Sequence, residues 1–301
     1  MDAFFTSRAI SDLLVGLVSG VSIGLVALSL VLIWRSTHIL NFAQGAMATF
    51  AAYCGMSLLS YHVGFWWCFV VAIVAGFLLG GVTERVLVRP LYGKPEINPI
   101  VVMVGFLFLL ESLIGAIWGT GIRAIPIPFS FIDWQLNGKT VVLSPVDVFV
   151  IIGAGVVTVC IAALFRYTNL GLQLRASAVA PEVSRLLGVR VSRMLTLGWI
   201  LSSGVGVIAA ILFACSGGYG AGLQPSMMEA PFAIAFIAAA VGGLDSPVGA
   251  LFAGIAFGIL QSFVDDYMNL NYSLMIMLGV LVAVLMVRPQ GIFTKPVARR
   301  V

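Results

Sequence analysis

Charge is scarce in this chain. Of its 301 residues only 9% are Asp, Glu, Lys or Arg, while 61% are hydrophobic; a soluble domain carries roughly 25% charged residues. No stretch between the oily runs is long enough to fold alone in water, so 1–301 reads as a single membrane domain. Histidine is rarer still. His38 and His62 are the two, far apart in sequence, and offer no paired ligands for zinc. Cys54, Cys68, Cys160 and Cys215 lie in or beside apolar runs without C-x-x-C spacing, the pattern of inert buried thiols. Neither metal nor cofactor is expected, and no nucleic-acid partner.

Nucleotide-binding signatures are missing too. Gly138-Lys139-Thr140 resembles the end of a phosphate loop, but Asp133 stands where the leading glycine belongs. Gly204, Gly206 and Ala209 have the spacing of a dinucleotide fingerprint inside an apolar span with no strand before it. Helix packing explains them, together with Ser202 and Ser203. Intramembrane charge, the usual mark of a proton-coupled carrier or membrane enzyme, is nearly absent. Glu111 lies well inside a span, and a glutamate satisfied or protonated at a helix contact accounts for it. An ion-coupled carrier needs more than one lone acid.

What is present is apolar sequence in lengths of about 20 residues, enough to cross a bilayer. Candidate spans run near 10–34, 39–60, 65–83, 98–118, 145–165, 194–214, 247–264 and 271–287. The first is too long for a signal-peptide core and reads as a retained span. A shorter segment at 227–241 opens on a Ser226/Glu229 capping box and ends at Gly242-Gly243, with the length of a tilted or re-entrant half-helix. Ser246 then caps the next helix, with Pro247 at its first position. The fold class is an all-α polytopic membrane protein of 8–9 transmembrane helices. Orientation follows the Lys/Arg bias. An outer N-terminus and a cytoplasmic C-terminus put all of the 16 Lys and Arg inside except Arg8, Arg123 and Lys139. Small residues at every fourth position (Gly16, Gly20 and Gly24; Gly76 and Gly80; Ala250, Gly254 and Gly258) announce close helix contacts.

One insert breaks the oily pattern. Residues 166–193 hold five arginines and one glutamate and read as two short helices. Leu170, Leu174 and Ala178 share a face of the first. Pro181 and Glu182 suit the first turn of the second, and Gly188 its end. A basic, helical, partly apolar loop on the inner face suits the docking of a soluble partner. Anionic lipid headgroups are the alternative surface for it.

Five motifs in order resemble the branched-chain amino-acid ABC importer permease family, from first span to tail. They are Asn41-Phe42-Ala43-Gln44-Gly45; Glu84-Arg85 through Arg89-Pro90-Leu91; Leu170-Gly171 through Arg175-Ala176 and on to Arg185-Leu186-Leu187-Gly188; Gly242-Gly243-Leu244-Asp245-Ser246-Pro247 through Gly249-Ala250; and Arg288-Pro289-Gln290-Gly291-Ile292-Phe293. Their order resembles the H-type permease more than its partner. Gln44 stands where many such members have His, Ala46 where many have Glu, and Asp245 where the family has Gly.

The resemblance implies a type II importer-like bundle in the bacterial inner membrane. It implies as partners a second permease, two ABC ATPases, an extracytoplasmic solute-binding protein and membrane lipid. Leucine, isoleucine and valine are the default solutes, with urea or short amides as the alternative within the family. The 166–193 insert becomes the ATPase coupling loop. Leu170, Leu174, Leu186 and Leu187 would be its apolar anchors, Arg175 and Arg185 its charges, and Gly171 and Gly188 its helix ends. Asn41 and Gln44, one turn apart after a break at Ser36-Thr37-His38, are pathway candidates with Gly45, because amides can bind both ends of a zwitterion. The alternative is that both amides bond to neighbouring helices. Gly242 and Gly243 are further pathway candidates, although turn geometry also explains them.

Overall fold

The computed structural model describes residues 2–95, 97–125, 127, 135–136, 139–140, 144–216, 222–268 and 270–293. Asp133 and Gly138, and the tail's Lys295, Arg299 and Arg300, lie outside the described residues. The described helices are α1 (Asp2–Thr37), α2 (Gln44–Met56), α3 (Phe65–Thr83), α4 (Ile97–Trp118), α5 (Pro145–Tyr167), α6 (Asn169–Val179), α7 (Pro181–Leu186), α8 (Val191–Cys215), α9 (Glu229–Gly242), α10 (Pro247–Tyr267) and α11 (Leu270–Val287). Gln135–Leu136 and Lys139–Thr140 pair as a two-residue antiparallel ladder.

Six helical stretches are long and apolar enough to cross a membrane: 9–37, 65–91, 97–118, 145–167, 191–215 and 247–267. Glu229–Gly242 and Tyr272–Val287 are shorter apolar helices. The expected span at 39–60 is not one continuous helix. Its first residues are non-helical, α2 covers 13 residues, and a 3₁₀ turn follows at Ser57–Tyr61. The Ser226/Glu229 capping box also does not form. Met228 occupies the cap position, and the Ser226 carbonyl accepts from the Glu229 N–H at 3.0 Å. Burial of Met227 and Met228 sets the start of α9 over the local capping preference. By contrast, the Ser246 hydroxyl accepts from the Gly249 N–H at 3.1 Å, with Pro247 opening α10.

α1 and α8 are the central columns, buried along most of their length. α3, α4, α5 and α11 expose apolar side chains such as Leu78, Phe108, Val159 and Met275, as lipid-facing helices do. The glycine ladders explain how the columns come so close. Gly16, Gly20 and Gly24 of α1 lie against α10. A methyl on Gly16 would sit 2.7 Å from the Ile259 Cα, and one on Gly24 2.9 Å from the Leu251 oxygen. On the facing side, a methyl on Gly258 or Gly254 would fall against the Cα of Gly20 or Gly24. Gly76 and Gly80 seat α3 on Val207 and Ser203 of α8 in the same manner. With lipid outside, this backbone proximity is the main source of association between helices.

Candidate functional site

The chain turns inside the bundle after α1. His38 adopts a left-handed conformation (φ 54°), and residues 38–43 run without helix before α2 begins at Gln44. Irregular backbone at membrane depth is tolerated only when buried in protein or lining a cavity. Here the side chains of Asn41 and Gln44 hold it. Asn41 Oδ1 accepts from the Ala43 N–H at 3.0 Å, and its Nδ2 donates to Gln44 Oε1 at 2.9 Å. Gln44 Nε2 donates to Ser29 Oγ of α1 and to the Ser202 carbonyl of α8, both at 3.1 Å. Ser202 Oγ in turn donates to the Ser29 carbonyl at 2.6 Å. Both amides are 1% exposed and bonded to neighbours. Their side chains face into the bundle between α1 and α8.

The same turn presents a different set of residues outward. Phe42, Gly45, Ala46 and Thr49 line a narrow groove with Leu107 and Glu111 of α4 and with Pro225, Met228, Glu229 and Phe232 at the start of α9. Its volume, about 20 Å³, is room for about one water. Glu111 is half-buried and Glu229 exposed. Gly45 makes the fit close, since a methyl there would lie 3.3 Å from Met228 and Phe232 and one of them would have to give way. Sequence reasoning singled out Gly45 and Glu111 but missed Glu229. Its apparent role in a cap concealed its approach to a residue more than a hundred positions earlier.

Gly242 and Gly243 are a crossing point. Gly243 has φ 100°, and a methyl on Gly242 would fall against the Gly249 carbonyl. The tail passes over this corner. Ile292 N–H donates to the Val241 carbonyl at 2.8 Å, and Phe293 N–H to the Gly242 carbonyl at 3.3 Å. Gly291 (φ 86°) comes so close that a methyl on it would lie 2.6 Å from the Gly243 Cα. The double-glycine and terminal motifs thus form one structure. It satisfies carbonyls that the end of α9 leaves open.

The 166–193 insert contains two helices. Thr168 caps α6, its hydroxyl accepting from the Gly171 N–H at 3.1 Å. Gly171 lets α6 turn sharply on α5, since a methyl there would lie 2.5 Å from the Phe165 Cα. Gly188 (φ 82°) closes α7, with the Val189 N–H on the Ser184 carbonyl at 2.9 Å. The two helices differ in what they offer. α6 leans on α1, α5 and α8, and Leu174 is 5% exposed, turned into the bundle rather than outward as an anchor. Arg175 donates from Nε to the Gly171 carbonyl at 3.3 Å and lines a cavity of about 610 Å³ with Arg35, His38, Asp245 and Phe293. α7 and the residues after it point away. Leu186 is 88% and Leu187 79% exposed, Arg185 lies open beside them, and Leu170 is 47% exposed on α6.

The Glu84–Leu91 motif fastens the end of α3. Residues 84–88 form a π turn, in which the Arg89 N–H returns to the Glu84 carbonyl. A five-residue return places side chains 84 and 89 together, which an α-turn would not. Arg89 donates to both Glu84 oxygens, at 3.3 and 3.0 Å, and to Thr196 Oγ1 of α8 at 2.9 Å. Thr196 Oγ1 donates to Glu84 Oε2 at 2.8 Å, and Tyr92 OH to Oε1 at 3.4 Å. Burial, and then the Glu84 charge, hold the Tyr92 phenol well above its ordinary pKa, so it remains a donor. Glu84 is fully buried with every oxygen occupied.

A tight apolar bundle with irregular backbone buried at its centre is the architecture of a polytopic membrane protein. No group of three His, Cys, Asp or Glu able to hold a metal occurs among the described residues. The family described as the permease component of the branched-chain amino acid transport system matches residues 13–285, and the chain belongs to that family. It is 25% identical over 303 residues to the high-affinity branched-chain amino acid transport system permease protein BraD of Pseudomonas aeruginosa, covering 97% of this chain and 98% of that one. To the corresponding LivH protein of Escherichia coli K12 it is 23% identical over 297 residues, covering 95% and 96%. PsaBC from Streptococcus pneumoniae, solved in complex with Fab, contains a chain of the same fold. The TM-score is 0.53 at 15% identity, covering 96% of this chain and 97% of that one.

Proposed function

We propose that this chain is the pore-forming permease subunit of an ABC importer. It carries leucine, isoleucine and valine across the bacterial inner membrane, driven by ATP hydrolysis in partner subunits. The N-terminus lies outside and the C-terminus in the cytoplasm. The family match over nearly the whole chain supports the solute class. The observation that carries the pathway is the groove of Phe42, Gly45, Thr49, Glu111, Glu229 and Phe232. Two carboxylates facing lipid would be costly, so this face abuts a second permease subunit and the solute path between them. Asn41 and Gln44 act on the path indirectly, by fixing the break that presents Phe42 and Gly45. Gly242 and Gly243 act as the corner that sets the far end of α9.

At the other end, α7 docks on an ATPase through Leu186, Leu187 and Arg185, with Leu170 at the edge. Gly171 and Gly188 set the two helix ends. Leu174 and Arg175 join α6 to the bundle, so that movement of α7 reaches α1, α5 and α8 through α6. An extracytoplasmic binding protein delivers the solute.

Uptake of labelled leucine in cells with and without the gene tests the solute class. Uptake should be lost on deletion and restored by the wild-type gene, with isoleucine and valine competing. Unchanged leucine uptake, or competition by urea and short amides instead, overturns the assignment.

A further inference from the structure

A second large cavity, about 590 Å³, opens between α1, α5 and α10, a volume typical of small-molecule sites. Its walls are apolar: Leu28 of α1, Ile161 and Ala162 of α5, and Val248, Leu251 and Phe252 of α10. At one end stand three arginines, Arg35, Arg166 and Arg175. Val248 and Phe252 are well exposed, so the groove opens toward the lipid side. Thr158, eight residues back from Arg166 on α5, also lines it; at 1.5 Å per residue the groove extends about 12 Å from the charges.

The arginines are short of acidic partners. Among the described residues none of them makes an ion pair within 4 Å; the salt bridge found there is Arg89–Glu84. Arg35 lies 5.8 Å from the Phe165 ring, and Arg166 5.5 Å from the Tyr167 ring. Asp245 attracts Arg35, but it lines the neighbouring cavity and not this groove. Three guanidiniums therefore share one mouth without a carboxylate lining it. With Arg166 and Arg175 exposed at the mouth, that arrangement suits a polyvalent anion above and a hydrocarbon below. Guanidiniums bind phosphate oxygens in pairs.

We propose that this groove binds one anionic phospholipid. Arg35, Arg166 and Arg175 hold the phosphate, and an acyl chain lies along α1, α5 and α10. The site is separate from the Phe42–Glu111–Glu229 groove and from the exposed face of α7. Lipid so placed ties the base of α6 to α1 and α10.

Native mass spectrometry of the full-length chain, purified with added phosphatidylglycerol or phosphatidylcholine, reads the binding directly. Wild type should retain phosphatidylglycerol in preference to phosphatidylcholine. Arg35→Gln with Arg166→Gln should lower that retention about tenfold or more, the loss of at least one charge-assisted hydrogen bond. Ala162→Trp keeps all three arginines and fills the groove from an exposed position; it should lower retention on its own, and it decides the matter if the double variant does not fold. Retention of phosphatidylglycerol at the wild-type level by the groove-filling variant, or equal retention of phosphatidylcholine by wild type, overturns the proposal. So does a dimer dispersed by Ala162→Trp with no lipid bound, which would make the groove a contact between copies. Because lipid retention is measured without transport, failure here leaves the importer assignment untouched.

Discussion

Adding one methyl at Gly206 tests whether Gln44 is a structural clasp. A Cβ there would fall against the Gln44 amide nitrogen, with Gln44 Cδ at 3.5 Å and the Ala48 Cβ at 3.7 Å. Gly206→Ala therefore pushes the amide off Ser29 and Ser202 and disturbs its bond from Asn41. Each is a buried neutral hydrogen bond worth about 1 kcal/mol, so losing two or three destabilises the fold by about 2–3 kcal/mol. Gln44→Ala loses the same bonds and leaves a void, a cost of about 2–4 kcal/mol. In the double variant the methyl at 206 enters the space the amide has left. The pair should then cost little more than Gln44→Ala alone, a coupling of about 2 kcal/mol, within the range found for contacting residues. The assay is a double-mutant cycle on reversible denaturant unfolding in mixed micelles, with leucine uptake measured in parallel. Half-saturation should stay near wild type wherever the protein folds. Costs that add within about 0.5 kcal/mol would refute the clasp. So would a Gln44→Ala protein of normal stability whose half-saturation moves tenfold, since the amide would then be touching solute.

Arg89→Met strips the partner from a fully buried Glu84. Because Arg89 is itself 36% exposed and Thr196 and Tyr92 still donate to the carboxylate, the cost should be about 1–3 kcal/mol, below that of a fully buried pair, seen as a lowered unfolding midpoint. A midpoint equal to wild type would mean that Glu84 does not need the pair. Gly258→Leu, driven into the backbone of Gly20, should cost at least about 1–3 kcal/mol and reduce folded yield. Gly279→Leu, where nothing lies within 4 Å, should leave the yield unchanged; equal effects would count against the seam. Arg185→Glu with Leu187→Asp alters only exposed positions and should shift stability by no more than about 0.5 kcal/mol. The same double variant should lose co-purifying ATPase subunits and uptake, and a full ATPase complement with normal uptake would remove α7 from the docking surface.

Periodicity and end signals carried far in this sequence. Glycines at every fourth position marked the seams, but the pairing of the Gly16–Gly24 ladder with Ala250–Gly258 needed the fold, because small residues report proximity without naming a neighbour. Gly188, Pro181 and Ser246 act within a few residues of themselves and behave as their chemistry predicts. Ser226 and Glu229 have equally good local spacing, yet burial of two adjacent methionines set the helix start elsewhere. Asn41 and Gln44 show the limit most clearly. An amide in an apolar segment must bond to something, and composition does not say whether that is a solute or a serine on another helix. Their partners, Ser29 and Ser202, belong to two other helices, and only the assembled bundle brings them together. Leu174 and Leu187 look alike in the sequence. They differ because α6 rests on three helices while α7 projects.

The clasp between Gly291–Phe293 and the end of α9 bears on how the protein is made. Val241 and Gly242 leave the ribosome well before the residues whose N–H groups meet their carbonyls. Until the terminus emerges, the α9–α10 hairpin and α11 must be held with one corner open. Closure of this corner therefore waits on residues 291–293, and a chain stopped short of Gly291 carries a helix end whose carbonyls at Val241 and Gly242 stay open.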